Sequence, residues 1–239
     1  MLLATISGLL AAAVAVVAVP ALVRSARGPG GEPPPGATVL ENLDVHGSVP
    51  PFSLVDLSGR TVSRDDLRGK VWVGNFIYTG CTETCPTQSL QLARLHAEFA
   101  DAGDLRLVSI TVDPGRDTPE VLARYAERFR ADPHRWLFLT GGKRDIYCLA
   151  RGLRLGVVDP GDATPPACDG SAARLGALAL AWLAPAPALA THGSQGLVMH
   201  SARLVLVDRA GRIRAYHLAT DADSLQRLAP NLRTVLAGR

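Results

Sequence analysis

Two cysteines with three residues between them, Cys81 and Cys85, lie in the run Thr79-Gly-Cys-Thr-Glu-Thr-Cys-Pro86. Paired thiols have two chemistries open to them. As thiolates they attack disulfides, and as soft donors they hold Cu(I), Zn or an iron–sulfur cluster. A redox pair of thioredoxin type has two residues between its cysteines, so this loop is longer by one. It still closes a disulfide if the Cβ atoms approach to roughly 4 Å. It also lets both sulfurs face one ion without closing. The alternative is that both cysteines are small buried apolar residues. The adjoining Pro86 and the position at a strand end suit reactivity better.

The surrounding elements explain why these thiols would be reactive. Val71 to Tyr78 is a continuous apolar run, the pattern of a strand buried on both faces. The cysteines follow directly, and then a helix with Leu90, Leu92, Leu95 and Phe99 at helical spacing. Pro86 fits a first helical turn and disfavours αR geometry in the residue before it. Cys85 is therefore expected near the N-cap, with Cys81 in the loop ahead. The positive end of the helix dipole would lower both thiol pKa values. Ligands of open α/β sheets gather at such carboxyl ends of strands.

The other elements complete the scaffold. Phe52 to Leu57 and Arg60 to Val62 read as a hairpin turning at Ser58-Gly59. Leu105 to Val112 is a second buried strand. Thr118-Pro119-Glu120 opens a helix capped by Asp117 or Thr118, with Val121, Leu122, Tyr125 and Phe129 on one face. Trp136 to Leu139 is a strand, and Asp145 to Arg151 a helix that contains Cys148. Ala202 to Asp208 and Arg212 to Tyr216 form a hairpin, and Ser224 to Leu236 a closing helix. This order predicts an α/β fold of thioredoxin-like (peroxiredoxin-like) type.

Two thiolates leave a coordination position open. His46, His96 and His134 fall in a pre-domain stretch, on a helix and in a loop, and read as solvated. His217 lies just past the last hairpin strand. His200 stands where the strand of Leu204 to Leu206 begins, at a sheet edge expected to face the cysteine loop. It is the candidate third ligand. Asp113, at a strand end, is a candidate outer contact of the site, or else organises the turn at Pro114-Gly115. Cys148 and Cys168 either pair as a disulfide or remain free.

The net charge is +3 with no block of basic residues, which argues against nucleic acid as a partner. From Leu2 to Val23 no charged residue occurs, enough to span a hydrocarbon core of roughly 30 Å as a helix. Residues 1–23 are therefore expected to be a transmembrane anchor or signal segment, and the anchor is favoured. Residues 24–40 form a Gly/Pro-rich linker and 41–237 the domain, with an insertion at about 159–196. Arg24 and Arg27 follow the apolar segment, which by charge alone would keep the domain cytoplasmic. The thiol chemistry argues for the opposite, periplasmic or extracytoplasmic side of an inner membrane.

Three blocks together resemble the Sco/SenC family: Phe76-Ile-Tyr-Thr-Gly-Cys-Thr-Glu-Thr-Cys-Pro86, Thr111-Val-Asp-Pro-Gly-Arg-Asp-Thr-Pro119 and His200-Ser-Ala-Arg-Leu-Val-Leu-Val-Asp-Arg-Ala-Gly211. The resemblance spans about Phe52 to Tyr216, apart from Asp159 to Gly196. It implies a membrane-anchored thioredoxin-like domain that binds copper through Cys81, Cys85 and His200. It further implies that the chain delivers copper to the binuclear site of the copper-bearing subunit of cytochrome c oxidase, or reduces that site's cysteines. Thr82 stands where many members have Pro, and Met199 where many have Asp. Met199 is a candidate soft outer contact, with simple packing as its other reading. The alternative function is a membrane-anchored thiol–disulfide oxidoreductase with no dedicated copper role. A peroxidase on a related fold has little beyond Thr79 in its favour.

Overall fold

The structure is a computed structural model that describes residues 39–82, 84–155, 157–158, 168, 199–200 and 202–238. The apolar N-terminal segment, and the insertion apart from Cys168, lie outside the described residues. Among the described residues no helix is long and apolar enough to cross a membrane.

In chain order the elements are strands β1 (Gly47–Ser48), β2 (Ser53–Val55), β3 (Thr61–Ser63) and β4 (Val71–Ile77), helix α1 (Thr84–Glu98), β5 (Leu105–Thr111), α2 (Pro119–Arg128), β6 (Trp136–Leu139) and α3 (Lys143–Gly152). They continue with β7 (Val157–Val158), β8 (Met199–His200), β9 (Arg203–Val207), β10 (Arg212–Leu218) and α4 (Ala222–Leu236). The main sheet has the order β1-β10-β9-β4-β5-β6. β4, β5 and β6 run parallel, and β9 lies antiparallel against β4.

β4 is buried at all seven positions because strands flank both its edges and helices cover both faces. Its side chains alternate between two cores. Trp72 and Phe76 join Val108 and Ile110 of β5, Ile146 and Leu149 of α3, and Leu54 and Val62 of the β2–β3 hairpin. Val71, Val73 and Ile77 join Leu92 and Leu95 of α1, Leu122 of α2 and Leu228 and Leu232 of α4. Gly74 is required where it stands, since a Cβ there would lie 2.6 Å from the Trp72 ring.

Three expectations change, and one open alternative is decided. Leu90 is 53% exposed, because the buried stripe of α1 runs through Cys85, Gln88, Ser89, Leu92 and Leu95 and includes polar residues that an apolar pattern passes over. His217 lies within β10 rather than beyond it, because the strand continues to Leu218. His200 does not open the strand of Leu204 to Leu206. It pairs with Val157 in a separate two-stranded ribbon of β7 and β8. Cys148 and Cys168 are joined as a disulfide.

Candidate metal and thiol site

β4 ends at Ile77, and its chain turns tightly into α1. The Cys81 amide donates to the Tyr78 carbonyl at 3.1 Å and closes the turn. α1 starts at Thr84, so Cys85 sits inside the first helical turn, not at its cap. The Cys85 amide donates to Cys81 Sγ at 3.4 Å, the contact that a thiolate at a helix N-terminus makes. Cys81 Sγ also lies 3.8 Å from Thr84 Oγ1.

The two thiols differ in environment. Cys81 is partly exposed and Cys85 is fully buried among Ile77, Leu92 and Tyr125 of the second core. Burial pushes the Cys85 thiol well above its ordinary range and the adjacent Cys81 adds to this, whereas contacts with the Tyr78 backbone and Thr84 pull the other way. The helix dipole does not lower the Cys85 pKa, contrary to expectation, because the desolvation penalty on a buried thiolate exceeds it. Tyr125, buried beside this thiol and hydrogen-bonded to Ser89 at 2.9 Å, is itself pushed up to about 12 by burial.

The residue that sequence reasoning missed is Asp117. The sequence left the cap of α2 to Asp117 or Thr118, and Thr118 takes it, its Oγ1 accepting from the Val121 amide. The Asp117 carboxylate instead points inward, 1% exposed. Its Oδ2 accepts from the Thr79 amide at 3.0 Å and Thr111 Oγ1 at 2.6 Å, and its Oδ1 from Thr79 Oγ1 at 2.5 Å. The Asp113 carbonyl accepts from the Arg116 and Asp117 amides and closes this turn. An Asp following a Pro-Gly turn is weak evidence of such a role without knowledge of what lies above it.

The histidines separate clearly. Both ring nitrogens of His217 are engaged, Nδ1 donating to the Ser224 carbonyl at 3.0 Å and Nε2 lying 3.2 Å from Asn231 Nδ2. Burial holds its pKa down at about 4. His96 is also depressed, by burial and then by Arg135. For His200 and Met199 the described feature is the backbone of β8, which places them in the ribbon with β7. His192, which the sequence reading passed over, lies outside the described residues. Among the described residues no three His, Cys, Asp or Glu side chains gather as a metal-binding group.

An α/β domain of thioredoxin-like topology, with two cysteines outside any disulfide where its central strand meets a helix, defines the class of protein. The donor set suits a soft ion, since both sulfurs belong to one turn and one helix start. Comparison gives the family. The SCO1/SenC family profile matches residues 43–164, and the chain belongs to that family. The SCO1 protein homolog of Bacillus subtilis is 35% identical over 94 residues, covering 39% of this chain and 49% of that protein. The match therefore spans about half of that relative's length. A putative copper-binding protein of Stutzerimonas stutzeri is 30% identical over 188 residues, covering 77% and 76% of the two chains.

Among solved structures, Bradyrhizobium japonicum ScoI with copper bound is 26% identical, with a TM-score of 0.56, covering 79% of this chain and 99% of that one. BsSco has a TM-score of 0.58 at 21% identity, covering 82% and 98%, and shows a shared fold. It is described as having a disulfide switch and as a member of the Sco family of cytochrome c oxidase assembly proteins.

Proposed function

We propose that this chain holds copper through Cys81, Cys85 and His200 and serves in assembling the copper centre of cytochrome c oxidase. One observation carries the reading. Of four cysteines, Cys148 and Cys168 are joined in a disulfide, and the two outside it, Cys81 and Cys85, share the β4–α1 junction. Two thiolates favour a soft ion, and an imidazole would complete a three-coordinate site open to ligand exchange with a partner. Copper supplies the cargo, and in its Cu(I) form matches the softness of these donors. Asp113 and Met199 are the proposed outer contacts. The copper-bound ScoI relative supports the choice of metal.

The Cys148–Cys168 disulfide fits an oxidising compartment, which supports an extracytoplasmic domain tethered by residues 1–23. The test is copper content per chain after expression in copper-supplemented medium. The wild type should carry close to one equivalent. Cys81→Ala and Cys85→Ala should lose it, His200→Ala should bind markedly more weakly, and His192→Ala should match the wild type. Equal copper in the wild type and Cys81→Ala would refute the site.

The unequal exposure of the two thiols also favours a second reading, thiol–disulfide exchange. Cys81 as thiolate would attack a partner disulfide and form a mixed disulfide, releasing one partner thiolate. Cys85 would then displace the second partner thiol and close Cys81–Cys85. Reductase activity that survives His200→Ala unchanged distinguishes this chemistry from copper handling.

A further inference from the structure

We propose that Asp117 is a positioning residue for the dithiol, holding the Cys81 turn to the end of β5. This rests on the thiol site being the functional one, as proposed above. A buried carboxylate is costly unless its oxygens are saturated with donors. Asp117 has three, and all come from the ends of the two central parallel strands: Thr79 after β4 and Thr111 at the close of β5.

Neither strand pairing nor helix initiation needs this carboxylate. The β4–β5 ladder already runs to Ile77 opposite Thr111, and the Val112 amide donates to the Ile77 carbonyl at 2.8 Å. Thr118 caps α2. What remains for Asp117 is residue 79, two positions before Cys81 and outside the ladder. It fixes that residue twice, through the amide and through the hydroxyl.

The consequence runs through the turn. Thr79 is held by Asp117, and the next link is the Cys81 amide donating to the Tyr78 carbonyl. Cys81 Sγ then faces the Cys85 amide at the start of α1. Releasing Thr79 frees the turn to pivot, and the separation of Cys81 Sγ from the helix start is no longer fixed. Buried partners that orient ligands in this way are worth about ten- to hundredfold in metal affinity.

The experiment compares the full chain with Asp117→Asn, Thr79→Val and Thr118→Ala. Copper affinity is measured by competition with a chromogenic Cu(I) chelator. The rate of Cys81 alkylation relative to Cys85 is followed by mass spectrometry in the metal-free protein. Asp117→Asn removes one acceptor from the clamp. Thr79→Val removes a single donor and keeps the shape, so it serves if the first variant does not fold. Thr118→Ala weakens the same turn through the helix cap and leaves the clamp intact.

The expected result is a loss of about tenfold or more in copper affinity for Asp117→Asn. Thr79→Val should show a smaller loss, both should change the Cys81-to-Cys85 alkylation ratio, and Thr118→Ala should leave both readouts at wild-type values. Wild-type affinity and ratio in folded Asp117→Asn or Thr79→Val overturn the proposal. So does an equal effect of Thr118→Ala, which would assign the loss to general destabilisation. If the wild type binds no copper, the copper reading fails separately, and the alkylation ratio alone decides the role of Asp117.

Discussion

Lowering the pH should destabilise this domain through His217, and the size of that residue's contribution can be worked from its surroundings. Its ring is fully buried, and burial holds the folded-state pKa at about 4 against 6.5 for a free histidine. A depressed histidine pKa means that the unfolded chain takes up the proton first. Its contribution to stability is therefore intact above about pH 6.5 and is lost as pH falls from there to 4, levelling off below. Linkage between those two values gives a loss of about 2 kcal/mol from pH 7 to pH 5 and about 3 kcal/mol by pH 4. For a domain of this size the first figure corresponds to a fall in Tm of about 4–8 °C.

The comparison protein is His217→Gln, whose neutral amide keeps one donor for Ser224 and one acceptor for Asn231. Denaturant unfolding of both proteins at pH 7, 6, 5 and 4 isolates His217, because the effects of the carboxylates and of His96, whose pKa burial also lowers, are common to the pair. Asp56 and Asp208 have lowered pKa values, so their stabilisation fades only at still lower pH. The wild type should lose about 2 kcal/mol more than the variant between pH 7 and 5. Parallel curves would refute the reasoning, as would a ring that titrates near 6.5 by NMR in the folded protein.

Other expectations follow from the cysteines. Iodoacetamide at neutral pH should modify Cys81 at least about tenfold faster than Cys85, whose thiol is buried and raised. Equal rates would contradict the burial of Cys85. Unreduced protein in denaturant should titrate two thiols rather than four, since Cys148 and Cys168 are paired. Replacing both of those by Ser should cost about 3 kcal/mol, the chain-entropy value for a loop of this length, and a change in unfolding free energy below 1 kcal/mol would overturn that account.

Much of the fold was legible because it rests on local signals. The run of β4, apolar but for Asn75, the Ser58-Gly59 turn (Gly59 at φ +81°) and the Thr118-Pro119 start of α2 each announce themselves through backbone preference or periodicity. The dithiol was legible as well, since two thiols beside a Pro at a strand end need no distant partner to be noticed. What the sequence could not decide was the environment of each group. Leu90 and Leu92 have the same character, yet one is exposed and the other buried, because only one faces the sheet. Cys85 sits at a helix start that would lower its pKa, and the packing around it raises that pKa instead.

By itself, then, the sequence determined the order of elements, the reactive pair and its place on them. The tertiary structure decided that Asp117 turns inward to hold Thr79, that His217 is buried with both nitrogens engaged, and that Cys148 pairs with Cys168. The reason is one of range. Propensity and periodicity act over a few residues, whereas burial and hydrogen-bond partnership depend on which distant segment arrives on the other side.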